Sequence, residues 1–168
     1  MSVQAIAGVS PGSEAVVMTE YPSISSGGIG QMLGSLYESI PLRVAGPKLS
    51  YLLFTLPTAP IGILLYLFSK VFGERYVLTN RSVQIWAARS DRMIGKVDLD
   101  AIETVELDQH PGQVFFRAAD LRLKDASGKT LLQLKGVPDA GSFRNAVLSS
   151  ASARRLTKAA AATIAARG

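Results

Sequence analysis

The chain has 168 residues, which allows one domain of ordinary size plus an added segment. It has no cysteine and a single histidine, so a disulfide framework, thiolate chemistry and every two-histidine metal site are excluded. The net charge of +5 is uneven: residues 1–48 carry only Arg43 and Lys48 as basic residues, whereas residues 70–168 carry sixteen Lys or Arg against ten Asp or Glu.

The opening MSVQAIAGVSPGSEAVV lacks the charged n-region and long apolar h-region of a secretory signal. Residues 1–30 are rich in Gly, Ser and Pro, with Ser25-Ser26-Gly27-Gly28 as the plainest flexible patch, and are expected to be mostly irregular. Next, Met32, Leu33, Leu36, Tyr37 and Ile40 fall at helical spacing. They predict a short amphipathic helix, lying either on a membrane or on the protein's own domain. Residues 1–47 are thus read as a flexible N-terminal segment containing that helix.

An uncharged run, Leu49 to Ser69, is bounded by Lys48 and Lys70. Its twenty-one residues, at about 1.5 Å each in a helix, match the roughly 30 Å hydrocarbon thickness of a bilayer. Residues 48–72 are therefore read as a membrane anchor. Pro57 and Pro60 leave two geometries: a single kinked span, or a hairpin turning at Pro57-Thr58-Ala59-Pro60. Tyr51 and Tyr66 near the ends suit interfacial anchoring. Lys70, Arg75 and Arg81 follow the run, and this positive-inside bias predicts a cytoplasmic C-terminal part.

From Glu74 the pattern becomes strand-like. Tyr76–Thr79, Val83–Trp86, Met93–Val97, Ile102–Leu107, Val114–Arg117, Leu121–Lys124 and Thr130–Lys135 give about seven short runs at meander spacing, with Asp125-Ala126-Ser127-Gly128 as a hairpin turn. Such close spacing argues against βαβ units. Trp86, alternating with apolar neighbours, is read as core. Pro138-Asp139 then opens a helix with Asp139 as N-cap and an apolar stripe of Phe143, Val147, Leu148 and Ala151. Residues 153–168 are a basic, alanine-rich helical tail with four basic residues and no acid; its helix propensity is high but its apolar face small, so a frayed extension or a solvated tail is expected.

This order of parts resembles the bacterial pleckstrin-homology-like (PH-like) membrane proteins of the DUF304 type. Glu74-Arg75-Tyr76-Val77-Leu78-Thr79-Asn80-Arg81 is similar to the family's opening after the membrane stretch. Asp98-Leu99-Asp100-Ala101-Ile102-Glu103-Thr104-Val105 is similar to its strand after the second turn. The resemblance covers about residues 48–152. It implies a mainly β, α+β fold: a bent seven-stranded antiparallel sheet capped by a C-terminal helix, with the domain at 73–152. It implies no activity, because the scaffold is shared by many functions.

No enzymatic constellation is present. His110, before Pro111-Gly112, has no nucleophile beside it and reads as a turn residue, while Asp98 and Asp100 read as solvated strand-end carboxylates. Neither cofactor nor metal is expected. Nucleic acid is excluded as a partner because aromatic and basic residues do not alternate as base-stacking surfaces require. The basic residues Lys70, Arg75, Arg81, Arg89, Arg92 and Lys96 are the candidates for lipid headgroups. The expected function is a non-catalytic scaffold or adaptor that binds a protein partner at the cytoplasmic face of a bacterial membrane. The alternatives are recognition of anionic headgroups and service as an accessory subunit of a larger membrane complex.

Overall fold

The computed structural model describes residues 14–43 and 46–166. Residues 1–13, part of the segment expected to be irregular, and Arg167 and Gly168 of the tail lie outside the described residues.

The N-terminal segment is not irregular where it is described. Val16–Glu20 form strand β1, Ile24–Ser26 a 3-10 turn and Gly28–Glu38 helix α1. After α1 comes α2, Leu49–Phe72, followed by β2 (Glu74–Thr79), β3 (Ser82–Ala87) and β4 (Met93–Asp98). A 3-10 turn at Leu99–Ala101 leads into β5 (Thr104–Asp108), α3 (Pro111–Val114), β6 (Ala118–Lys124), β7 (Thr130–Pro138) and α4 (Ala140–Ala165). The seven strands form two antiparallel sheets, ordered β1-β2-β3-β4 and β5-β6-β7.

The strand count equals the expectation, but its membership differs. β1 joins from before the apolar helix, pairing Glu20 with Tyr76 and Thr19 with Val77. Conversely, the run expected as a strand at Val114–Arg117 is helical and turning. Pro111 occupies the first helical turn, where its missing N–H costs nothing. Gln113 closes a capping box with His110, whose backbone N–H donates to Gln113 Oε1 at 3.0 Å. His110 is a capping residue, as its place in the turn suggested.

The core follows the two-residue strand period. Tyr76 and Leu78 of β2, Val83 and Ile85 of β3, and Leu121 and Leu123 of β6 point inward, with Phe143, Val147 and Ala151 of α4 packed on the same cluster. Trp86 alternates with Ile85 and so lies on the opposite face, which corrects its assignment to the core. Its Nε1 donates to Gln84 Oε1 at 2.7 Å instead. Tyr76 bolts the two sheets together: its hydroxyl donates to the Lys135 carbonyl and accepts from the Lys135 N–H, each at 3.0 Å. Burial pushes that phenol well above its usual pKa.

Helix α4 differs from expectation in the chemistry of its start. Asp139 sits at its N-cap position in the left-handed region (φ 42°) and makes no capping bond to the backbone; its carboxylate accepts from Ser142 Oγ at 2.7 Å. The basic tail continues the helix to Ala165. Arg154 Nε meets Asp100 Oδ2 at 3.0 Å, Lys158 pairs with the same carboxylate, and Arg155 meets Glu103 at 2.7 Å. Those acids flank the Leu99–Ala101 turn, so the tail is clipped to the domain.

A second polar clasp fixes the N-terminal segment. Glu14 Oε1 accepts hydrogen bonds from the Thr79 hydroxyl (2.8 Å) and from Ser82 Oγ, while Oε2 takes Lys96 Nζ at 3.1 Å. Burial raises the Glu14 pKa, but these three donors outweigh it and lower it from 4.5 to about 2. A folded value below the unfolded one means that the clasp stabilises fully above about pH 4.5 and is lost as the pH falls toward about 2. Denaturant midpoints taken at neutral pH and near pH 3 should therefore fall further for the parent chain than for Glu14→Gln, which cannot titrate.

Candidate functional site

The most exposed apolar surface lies on α2. It is one unbroken helix through Pro57 and Pro60, so of the two geometries left open the hairpin turn at residues 57–60 does not form. It is the one helix among the described residues long and apolar enough to cross a membrane. Leu56 is 82% exposed, Leu64 66%, Phe68 62% and Phe72 72%, values far from those of a core helix.

One side of α2 is nevertheless held by the domain. Tyr51, Phe54, Thr58, Gly62, Leu65 and Ser69 are half-buried, and their spacing of three and four residues traces a single stripe. At its N-terminal end, Ser50 Oγ donates to the Tyr37 carbonyl and Tyr51 Oη donates to Glu38 Oε1 at 2.6 Å. Lys48 pairs with the same Glu38. Midway, Tyr37 Oη and Thr58 Oγ1 are 2.6 Å apart. Near the C-terminal end, Lys70 Nζ stands 4.0 Å from the centre of the Tyr21 ring. Helix α1 therefore packs on the protein through Leu33 and Tyr37, which are buried, while Ile29 and Met32 stay exposed.

The platform beneath α2 comes from α1 and α3. Phe115, just after α3, packs its ring 4.4 Å from Tyr37 and 4.9 Å from Tyr51. Backbones of α1 and α3 touch: a Cβ on Gly34 would lie 1.9 Å from the Gly112 carbonyl oxygen. Only glycine permits that approach.

The candidate cations divide between two ends of the first sheet. Strands β2 and β3 pair Arg75 with Trp86, and β3 and β4 pair Gln84 with Lys96. Arg75, Arg89 and Arg92 thus lie at the end where α2 enters, with Lys70. Arg81, in the β2–β3 turn, and Lys96 lie at the far end, and Lys96 is committed to Glu14. Within the near group, Arg75 meets Asp91 at 3.3 Å and faces the Trp86 ring at 5.7 Å, and Lys70 is held by Tyr21 and Tyr66. Arg89 and Arg92 are exposed and have no ion partner among the described residues. They share a groove with Val71, Phe72 and Gly73 at the end of α2. This division of the six candidates depends on strand register and is not visible in the sequence.

Other features offer little chemistry. A cleft of about 260 Å³ between Tyr21, Ser69, Lys70, Glu74, Tyr76 and Lys135 is smaller than ordinary ligand pockets, which begin near roughly 300 Å³. Among the described residues no three His, Asp or Glu side chains gather to hold a metal ion. His110 Nε2 lies 3.8 Å from the buried Asp120, but Asp120 serves a structural cluster instead. Its Oδ1 accepts from Gln113 Nε2 (2.6 Å) and from the Gly136 N–H (2.8 Å).

Against known proteins, a family model described as "Bacterial PH domain" matches residues 27–151. The matched stretch begins before α1 and ends within α4, so the apolar helix is part of the matched unit. No curated protein and no solved structure matches the chain.

Proposed function

The chain belongs to the bacterial PH domain family, and from that premise we propose that it is a non-catalytic module attached to a bacterial membrane by α2. There it serves as a scaffold for a protein partner, with the folded domain in the cytoplasm. The observation that carries this reading is the free side of α2, a helix-long strip of exposed leucine, isoleucine and phenylalanine that water disfavours at about 25 cal/mol per Å². A partner-binding surface has its own support. Strand β1 is an edge of its sheet, and Val16 and Val17 on it are exposed, an arrangement open to strand addition.

Vesicle flotation of the full chain tests the membrane reading. The protein should float with neutral phosphatidylcholine vesicles and stay bound in high salt, because apolar burial is not screened. Leu64→Asp combined with Leu67→Asp should reduce the bound fraction about 100-fold or more, at a cost of up to about 3 kcal/mol per carboxylate placed in hydrocarbon. Both positions are exposed, so the folded domain should keep its denaturant midpoint. A parent chain that remains unbound to every vesicle would overturn the reading.

A further inference from the structure

We infer that α2 does not cross the bilayer but lies along it, its free face sunk in one leaflet, with Arg89 and Arg92 on anionic headgroups and the whole domain on one side. The inference rests on the membrane reading above and adds its geometry and its lipid class.

Four observations converge. First, the chain before α2 is bonded to both sheets that follow it: β1 pairs with β2, and the Ser23 N–H donates to the Gly136 carbonyl of β7 at 2.8 Å. A single crossing would put these partners on opposite sides. Second, the half-buried stripe from Tyr51 to Ser69 runs almost the whole helix. Twenty-four residues extend about 36 Å, so upright insertion would carry α1, α3 and the Lys48–Glu38 pair through the hydrocarbon. Lying flat, the helix needs to sink only about 5–10 Å.

Third, Pro57 and Pro60 sit mid-helix, so the Leu53 and Leu56 carbonyls lack their ordinary amide donors. Both residues are on the exposed face. In a span these carbonyls would lie near the bilayer centre, where an unsatisfied group costs several kcal/mol. Laid flat, the helix keeps them only about 5–10 Å deep, near the headgroup boundary rather than the bilayer centre. Fourth, Arg89 and Arg92, exposed and without an ion partner among the described residues, border Val71 and Phe72 at the end of the exposed face. That places positive charge beside an apolar surface, the complement of an anionic leaflet.

The absence of native cysteine makes the geometry directly testable. Ser35→Cys reports the segment before α2 and Ser90→Cys the segment after it, and both serines are exposed. Each full-length variant is expressed in a bacterium and treated with a membrane-impermeant maleimide, in spheroplasts and in inverted membrane vesicles. Both cysteines should label in the same preparation and be protected in the other. Labelling from opposite sides overturns the inference while leaving the membrane reading intact. Recovery of the protein in the soluble fraction would instead defeat the membrane reading itself.

The lipid class is tested with Arg89→Gln/Arg92→Gln. The parent should bind vesicles containing phosphatidylglycerol more tightly than neutral ones at low salt. The double variant should lose roughly fivefold of that preference per cation and keep its binding to neutral vesicles. An unchanged preference would remove these arginines from the headgroup contact.

Discussion

Phe143→Ala should lower the unfolding free energy by about 3–5 kcal/mol, measured by denaturant titration of the full chain in a mild detergent. The ring of Phe143 is fully buried and lies in the single cluster that includes residues of both sheets and α4. The other cluster members Leu99 and Ile102, in and just after the Leu99–Ala101 turn, and Leu121 of β6 are held by separate parts of the chain and cannot all close in on the space left. Since an ordinary domain is stable by about 5–15 kcal/mol, this one truncation removes a large share of the margin. Phe143→Leu should recover most of it, because it restores most of the apolar volume. A loss below about 1 kcal/mol for the alanine variant would mean that α4 is not the lid of this core.

Asp120→Ala should cost about 2–5 kcal/mol and should also release α2 from its platform. The carboxylate is 4% exposed and joins three parts of the molecule: its own strand β6, Gln113 of α3 and Gly136 of β7. Gly136 in turn receives the N-terminal segment through the Ser23 N–H, and its φ of +59° keeps its backbone against Ser26, where a Cβ would lie 2.7 Å from the Ser26 amide nitrogen. Alanine leaves the Gln113 amide and the Gly136 N–H buried without an acceptor, and the missing partners rather than the lost bonds dominate the cost. Asp120→Asn keeps one oxygen for both donors and should lose less than half as much. Hydrogen exchange gives the sharper readout: amides of α1 and α3 should exchange faster in the alanine variant, while those of β2 and β3 remain protected.

What could be read in the sequence was whatever has a local period or a local punctuation. The uncharged run at Leu49–Ser69, the alternation through β2, β3 and β6, the Asp125–Gly128 turn and the Phe143–Val147–Ala151 stripe all depend on neighbours within a few residues. The Pro111 signal was local too, but the two phenylalanines after it suggested a strand. In the structure those rings serve α1 and α2, as Phe115 against Tyr37 and Tyr51 makes clear. The acidic partners of the tail and the donors around Glu14 were invisible for another reason. Arg154 and Asp100 are 54 residues apart, and Glu14 and Ser82 are 68 apart.

By itself, the sequence determined the class of the domain, its bacterial PH-like character and the presence of one helix fit for lipid. The six cations proposed for headgroups were also visible in it as residue types beside the apolar run and on the first strands. Tertiary structure alone decided where those features stand. It brought β1 across to β2, laid one side of α2 on α1 and α3, and separated Arg81 and Lys96 from Arg89 and Arg92. The physical reason is that hydropathy and periodicity record how a segment prefers its surroundings, averaged around its axis. Which side of that segment stays free is set by contacts between residues remote in the chain, and a single helix such as α2 can satisfy the same hydropathy either across a bilayer or along it.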